Sequence, residues 1–239
     1  MNFMLWIGVF VLVLFVGYGV FSFVRVERLI QASAVLVRQA APFEHMATPE
    51  SGAVLFAGDS TAVGVGADNP NDSLAGRYSK DHPSVSVYNK AVSGTKTAGV
   101  VEQLAGYQEA SFDTVIIQIG GNDITYFTDL SALKSDITQV LIRAHQVGKK
   151  VILLSCGDVG NALLFPRPIA FLWESRTRQV REVFMTASQS SHTYYVDLFR
   201  EDKQSDPFFT DPYRSHAADL FHPSSFGYGL WYRDLKEAE

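Results

Sequence analysis

The residues best suited to carry chemistry in this sequence are a serine, an aspartate and a histidine that stand far apart along the chain. Ser60 follows a short apolar run, in the string Gly-Asp-Ser of residues 58–60, and Asp219 precedes His222 by three residues. A serine hydroxyl becomes a nucleophile when a histidine takes its proton, and a carboxylate on the other ring nitrogen fixes the tautomer. These types predict acyl transfer, with Ser60 as nucleophile, His222 as base and Asp219 as orienting acid.

Acyl transfer also needs fixed donors for the oxyanion of the tetrahedral intermediate, each worth about 3 kcal/mol. Two further strings offer them. Ser93-Gly94 stands between a predicted strand and a predicted helix, and Asn122 follows another predicted strand in the string Ile-Gly-Gly-Asn-Asp-Ile. The predicted donors are the backbone N–H groups of Ser60 and Gly94 and the side-chain amide of Asn122.

Each string taken alone has an ordinary structural explanation. Gly-Asp-Ser commonly caps a helix, Gly-Gly-Asn-Asp is a common turn composition, and an Asp and a His three residues apart occur on solvated loops. Asp197 and Asp211 are also candidates for the carboxylate beside His222, although the three-residue separation favours Asp219. The order of all four strings, each at the end of a strand or near the C-terminus, favours catalysis.

The elements that must position these residues form an alternating pattern. Apolar runs rich in β-branched residues predict strands at 54–57, 85–88, 114–119, 150–154 and 193–198, and helices are predicted over about 97–109, 129–147 and 169–190. Continuous apolar strands separated by helices indicate a parallel sheet covered on both faces, whose ligands collect at the carboxyl ends of the strands. The fold class is therefore α/β.

With these residues in place, the chain resembles the SGNH hydrolase (GDSL esterase/lipase) superfamily, and within it the bacterial lysophospholipase/thioesterase-like branch. The resemblance covers residues 52–236, and Thr61 stands where the family usually has leucine. It implies a flavodoxin-like, three-layer α/β/α sandwich with a five-stranded parallel sheet. It also implies that Ser60, Asp219 and His222 are catalytic, that Ser60, Gly94 and Asn122 form the oxyanion hole, and that Gly58, Asp59 and Asp123 support the serine turn.

The N-terminus predicts a membrane anchor. Residues 3–24 carry no charge over a length that can cross a bilayer as a helix, and Arg25 and Arg28 mark its end. A cleaved signal peptide is the alternative, but the stretch is long and no basic residue precedes it. We expect an anchor at 1–24, a connector at 25–51, a hydrolase domain at 52–239, and a single-pass protein of a bacterial inner membrane. The positive-inside rule places the domain in the cytoplasm, whereas such enzymes are often exported, so its side stays open.

Composition excludes several other classes. The formal net charge is −5 with no basic block, which argues against a nucleic-acid partner. The single cysteine, Cys156, excludes an internal disulfide and is interpreted as a core residue. His216 and His222 are six residues apart, a spacing that matches no common zinc pattern. No metal and no cofactor are expected.

The apolar segment at residues 161–173 borders the predicted site and contains Phe165, Phe171 and Trp173. It is interpreted either as a lip that receives an acyl chain or enters lipid, or as core that packs on the sheet. The predicted substrate is a small-molecule or lipid-like ester with a short or medium acyl chain, lysophospholipids included. The alternatives are a carbohydrate O-acetylesterase of the cell envelope and a catalytically silent membrane-anchored scaffold.

Overall fold

The centre of the molecule is a five-stranded sheet in which every pair of neighbouring strands is parallel. The computed structural model describes residues 2–48 and 51–238. The strand order is β2-β1-β3-β4-β5. The strands are β1 (Gly52–Gly58), β2 (Val85–Asn89), β3 (Phe112–Gln118), β4 (Gly148–Leu154) and β5 (Tyr194–Val196). All five coincide with the predicted apolar runs, although β5 is shorter than its prediction.

Helices connect the strands and cover both faces of the sheet. Val54 and Phe56 of β1 pack on one face with α3 and α10, while Leu55 and Ala57 pack on the other with α6 and α7. The three-layer α/β/α sandwich is thereby confirmed. The helices are α1 (Asn2–Gln39), α2 (Ser60–Val63), α3 (Leu74–Asp81), α4 (Val100–Gln103), α5 (Gly121–Thr125), α6 (Leu130–Val147), α7 (Phe171–Ser191), α8 (Pro207–Thr210), α9 (Pro212–Ser215) and α10 (Ser225–Glu237).

The helix predicted over residues 97–109 is shorter than expected. It consists of a 3₁₀ turn, Thr97–Gly99, followed by α4, which ends at Gln103. Gly106 has a φ of +84° and Ala110 a φ of +52°, and this left-handed backbone is incompatible with a continuing right-handed helix. The segment from 104 to 111 is therefore a loop that leads into β3.

Helix α1 is a single helix of 38 residues that continues past the predicted end of the apolar span at Val24. The part from Trp6 onward is long and apolar enough to cross a membrane, judged by length and composition. Residues 6–21 are exposed on every side, whereas from Ser22 to Ala40 one stripe of the helix is half-buried. The first part of the predicted connector is therefore helical and docks on the domain.

Helix α1 crosses the carboxyl-end edge of the sheet. Its last turns, at Leu36 and Val37, pack against Val63 and Ala91, which follow β1 and β2. Nearer the apolar span, Arg25 hydrogen-bonds the carbonyl of Leu163, which follows β4. The helix therefore runs from the β1/β2 side of this edge to the β4 side.

Candidate active site

Ser60 is held at a sharp turn between β1 and α2. Asp59 caps α2 by accepting hydrogen bonds from the backbone N–H of Thr61 at 2.9 Å and from its hydroxyl at 2.7 Å. Gly58 has a φ of +145°, and a Cβ there would collide with the carbonyl oxygen of Gln118 on β3. The glycine is therefore required for β1 to end close against β3 and present Ser60 as the first residue of α2.

A glutamine that the sequence did not single out clamps this turn. The Gln103 side chain accepts from the N–H of Gly58 at 2.7 Å and donates to its carbonyl oxygen at 2.9 Å. The N–H of Gly58 lies at the end of β1, where the strand pairing stops, and the carbonyl oxygen of Gly58 also accepts from the backbone N–H of Val92 at 3.1 Å. Gln103 therefore ties α4 to the serine turn.

The structure brings Ser60, His222 and Asp219 into one hydrogen-bonded chain. The Nε2 atom of His222 lies 2.9 Å from the Oγ atom of Ser60, and its Nδ1 atom lies 2.5 Å from Oδ2 of Asp219. The other carboxylate oxygen of Asp219 accepts from the backbone N–H groups of Phe221 and His222. A short loop thus holds the carboxylate and the ring together.

This arrangement determines the charge and the tautomer. Burial acts to raise the pKa of Asp219, but the hydrogen bond and charge of His222 and two backbone N–H donors together lower it. Ionised Asp219 accepts a hydrogen bond from Nδ1–H, which leaves Nε2 with a lone pair facing the hydroxyl of Ser60. The three residues have the geometry of a nucleophile, a general base and its orienting group.

Asp197 and Asp211, the alternative acids, are not placed this way. Asp197 accepts two hydrogen bonds from the guanidinium of Arg181, at 2.8 and 2.6 Å. Asp211 precedes α9 and is exposed. Among the described residues, Asp219 is the carboxylate that hydrogen-bonds the ring of His222.

The two loops expected to supply oxyanion donors are tied to each other. The Asn122 amide donates to the carbonyl of Thr95 at 2.9 Å, and buried Asp123 accepts from the N–H and the hydroxyl of Thr97 at 2.9 and 2.7 Å. Asn122 lines the same cavity as Ser60. Since a primary amide has two N–H groups, the second hydrogen of Asn122 remains for a ligand.

Gly94 lies in the loop beside Thr95 but does not line this cavity. It is exposed, has a φ of +83°, and has open space where a Cβ would be. This left-handed conformation is one that glycine adopts readily, as expected of a loop residue whose N–H is not part of a helix or a strand.

A cavity of about 50 Å³ adjoins Ser60, His222 and Asn122. Its remaining wall is largely apolar and was predicted only in part, since Ala162 belongs to the segment 161–173 that was expected to border the site. The side chains of this wall come from the loop after β4, from α8 and α10, and from the last loop. They are Cys156, Val159, Ala162, Phe208, Phe221 and Trp231. The only available signal was the position of residues 156–162 at the carboxyl end of β4.

Two other groups of this wall have shifted pKa values. Burial raises the pKa of the Cys156 thiol, which leaves it protonated and consistent with its interpretation as a core residue. Burial also raises the pKa of Asp158 to about 6, and its Oδ2 atom lies 3.7 Å from Nζ of Lys203. No three His, Cys, Asp or Glu side chains within residues 2–48 and 51–238 are placed to hold a metal ion.

A wider groove of about 790 Å³ lies beside this cavity, between the C-terminal end of α1 and the loops at 64–70 and 213–224. His216 lines both spaces, and its Nδ1 atom is 2.9 Å from the carbonyl of Pro212. Gln39 and the exposed Tyr213 are among the other residues that line the groove. The groove therefore borders the cavity on the side away from the end of β4.

The three residues predicted for a substrate lip have different surroundings, and none lines the cavity. Phe165 is buried and stacks on half-buried Trp173, with ring centroids 4.0 Å apart. Phe165 also contacts Phe221, which lies beside His222. Phe171, in contrast, is 61% exposed. Phe165 and Trp173 thus pack in the wall behind the site, while Phe171 faces outward.

Comparisons with known proteins are consistent with this geometry. A GDSL-like esterase of Mycobacterium tuberculosis is 26% identical over 188 residues, which cover 74% of this chain and 58% of that protein. The chain thus spans a little over half the length of this relative.

Two solved structures show the same fold. An extracellular lipase from Streptomyces rimosus is 16% identical with a TM-score of 0.61, covering 79% of this chain and all of its own. A variant of an acetyl-xylooligosaccharide esterase from Geobacillus is 19% identical with a TM-score of 0.55, covering 79% of this chain and 94% of its own. The sequence profile of the GDSL-like Lipase/Acylhydrolase family matches residues 56–230, and the chain therefore belongs to this family of esterases and acylhydrolases.

Proposed function

We propose that the protein is a serine esterase that hydrolyses carboxylic esters with short acyl chains through an acyl-Ser60 intermediate. The observation that carries the proposal is the continuous hydrogen-bonded chain from Asp219 through His222 to the Oγ atom of Ser60. No cofactor takes part, because the serine, the base and the orienting acid are all side chains of this domain.

In the first half-reaction, Oγ of Ser60 bonds to the ester carbonyl carbon while His222 Nε2 takes the hydroxyl proton. Asp219 stabilises the resulting imidazolium through Nδ1. As the tetrahedral intermediate collapses, the carbon–oxygen bond to the alcohol breaks and His222 returns the proton to the leaving oxygen. In the second half-reaction, water attacks the acyl-serine, again losing its proton to His222, and Ser60 departs with that proton.

The oxyanion that forms in both half-reactions needs donors that are in place beforehand. The second N–H of the Asn122 amide is the side-chain donor, oriented by the bond that its first N–H makes to Thr95. The backbone N–H groups of Ser60 and Gly94 are the other two proposed donors. Asp123 supports them by fixing the loop at Thr97.

Among short and medium acyl chains, the size of the cavity favours short ones. The cavity is small, since about 50 Å³ is only a few times the 10–15 Å³ that a single water needs. An acetyl or propionyl group fits this size, whereas the acyl chain of a lysophospholipid exceeds it. The surrounding wall is closed by Phe208, Phe221 and Trp231, which pack against neighbouring aromatic rings.

Carbohydrate O-acetyl esters are a second candidate class, favoured by the groove beside the cavity. In the tetrahedral adduct at Ser60, the acyl group occupies the cavity. The alcohol part of the ester therefore lies on the other side of the adduct and leaves from there. The groove shares His216 with the cavity and offers the exposed ring of Tyr213 and the amide of Gln39. An exposed aromatic ring beside polar side chains suits a sugar with its apolar faces and hydroxyl groups.

We further propose that α1 spans a bacterial inner membrane once and holds the catalytic domain beside it. The support is the helix from Trp6 to Gln39, which is long and apolar enough to cross a bilayer. A signal sequence is also long and apolar, but here the apolar part continues without a break into residues 22–39, which dock on the domain.

The test is hydrolysis of a chromogenic ester series, from acetyl to octanoyl, by the full-length protein in detergent, together with labelling by a fluorophosphonate probe. Ser60→Ala should abolish both signals, whereas Ser155→Ala, which removes a buried hydroxyl from the end of β4, should keep them. His222→Ala should lower kcat by orders of magnitude, and Ser60→Ala/His222→Ala should cost little more than either change alone.

A silent scaffold predicts the opposite result. Folded protein that hydrolyses no ester of the series and takes up no probe at Ser60 would overturn the esterase proposal. Activity that survives in Ser60→Ala would overturn the assignment of the nucleophile.

A further inference from the structure

The position of the catalytic domain along α1 is fixed by contact and leaves no spacer. Burial begins at Ser22, within the apolar stretch, and recurs on one face at Arg25, Val26, Leu29, Ala32, Ser33, Leu36, Val37 and Ala40. At 1.5 Å per residue, this docked stripe is about 27 Å long. The domain is therefore in contact with the helix from the end of its apolar part onward.

The loop after β4 is the part of the domain that meets α1 at this level. Arg25, the first charged residue after the apolar stretch, donates a hydrogen bond to the carbonyl of Leu163. The first charge after an apolar span marks the depth at which a transmembrane helix leaves the hydrocarbon region. Leu163 and its neighbours are therefore level with the membrane surface.

Three large apolar side chains project from the continuation of this loop. Ile169, Phe171 and Leu172 are 42%, 61% and 42% exposed, respectively, on the 3₁₀ turn and the first turn of α7. Their neighbours Phe165 and Trp173 are stacked in the wall of the domain, which anchors the segment from both sides. The packing of Phe165 and Trp173 thus keeps the side chains of Ile169, Phe171 and Leu172 exposed on the surface.

The charges around this cluster suit a lipid surface. Exposed Arg167 precedes Ile169 on the same turn, and exposed Arg28 lies one turn beyond Arg25 on α1. Arginine side chains reach lipid phosphates while apolar and aromatic neighbours enter the region below them. The exposed apolar side chains are therefore accompanied by one arginine of their own segment, Arg167, and by one of α1, Arg28.

We propose that Ile169, Phe171 and Leu172 form a second membrane contact, inserted into the interfacial region of the bilayer that α1 spans. The inference rests on the proposed membrane span of α1. It restrains the tilt of the domain, since a single spanning helix can tilt in the bilayer and carry the docked domain with it. Val159 and Ala162, which line the cavity, belong to the same loop. The contact therefore keeps the acyl cavity close to the lipid surface.

The experiment places one environment-sensitive fluorophore at a time on the full-length protein in vesicles of phosphatidylcholine and phosphatidylglycerol. The labelling sites are Ile169→Cys and Phe171→Cys. The matched control is Ile142→Cys, an equally exposed isoleucine on the end of α6 that leads into the start of β4, at the opposite edge of the sheet. Phe15→Cys reports on α1 itself. Native Cys156 is buried, and unmodified protein checks that it stays unlabelled.

Lipids with a nitroxide near the headgroup or along the acyl chain then quench the fluorophores according to depth. We expect quenching at 169 and 171 to exceed that at 142 severalfold, and quenching at 15 by the deeper nitroxide. Quenching at 15 without quenching at 169 and 171 would overturn the second contact and leave the anchor intact. Equal quenching at 142 would mean unspecific adsorption and would also overturn it. No quenching at 15 would overturn anchor and contact together, while ester hydrolysis would be unaffected.

Discussion

Trp231 lines the proposed acyl cavity, and replacing it should change which acyl chains are hydrolysed. The cavity is small, at about 50 Å³, so we expect a hexanoyl chain to displace part of its wall. Overpacking of this kind costs about 1–3 kcal/mol, which predicts a kcat/KM for hexanoyl esters about five- to 160-fold below that for acetyl esters. Trp231→Leu removes part of the wall. If two methylenes are then buried at about 0.8 kcal/mol each, the hexanoyl-to-acetyl ratio rises about fifteenfold.

The assay is steady-state hydrolysis of p-nitrophenyl esters from acetyl to octanoyl by the full-length protein. Trp231 also packs on Phe208, with ring centroids 5.3 Å apart, so the change lowers stability as well. Phe56→Leu is the matched control, because Phe56 belongs to the same core cluster but does not line the cavity. Equal efficiency for acetyl and octanoyl esters in the native protein would refute the assignment of the cavity. An unchanged ratio in Trp231→Leu would refute the role of its indole.

Three further changes test the site from other directions. Asn122→Ala removes one oxyanion donor and should lower kcat by about 10²–10³ with little change in KM, as measured by steady-state kinetics. Gly66→Ala places a Cβ against the carbonyl of Pro223 and 3.1 Å from the Cβ of His222, at a φ of +95°. It should displace the histidine, so kcat and fluorophosphonate labelling should both fall, and unchanged rates would contradict this role of Gly66. The raised pKa of Asp158, about 6 against an ordinary 3.8, means that folded protein holds this proton more tightly than unfolded protein. The native protein should therefore lose about 3 kcal/mol as pH rises from 4 through 6, and Asp158→Asn should not, so the Tm advantage of the variant should be several degrees larger at pH 7 than at pH 4.

The fold could be predicted because its strands are buried on both faces. Such strands are continuous apolar runs, and β1, β3 and β4 each have four or more buried residues in succession. Helix ends were harder to predict, since they depend on single backbone positions. The apolar pattern of residues 97–109 suits a helix, and this pattern does not report the left-handed backbone of Gly106, although a glycine at such a position is a local signal that a helix has ended.

The candidate site also has one part that the sequence predicts and one part that depends on tertiary structure. Ser60 and Asn122 lie shortly after the ends of β1 and β3, and His222 is three residues from Asp219, so their places in the site could be predicted from their positions along the chain. The apolar wall could not be predicted this way, because Trp231 meets the cavity from a helix that starts after the last loop. An apolar residue on such a helix has the same sequence pattern whether it faces the core or a cavity.

The continuous docking of α1 also limits where the enzyme can act. A flexible linker of about fifteen residues would allow a domain to move about 20 Å from its anchor and to search a volume. Here the corresponding stretch is helical and half-buried against the domain from Ser22 to Ala40. With α1 in a membrane, the hydroxyl of Ser60 stays at one height, and the enzyme encounters only esters that enter that thin layer. For esters that partition into the membrane surface, the working concentration of substrate is then a surface density, and the rate should follow the amount of ester per membrane area.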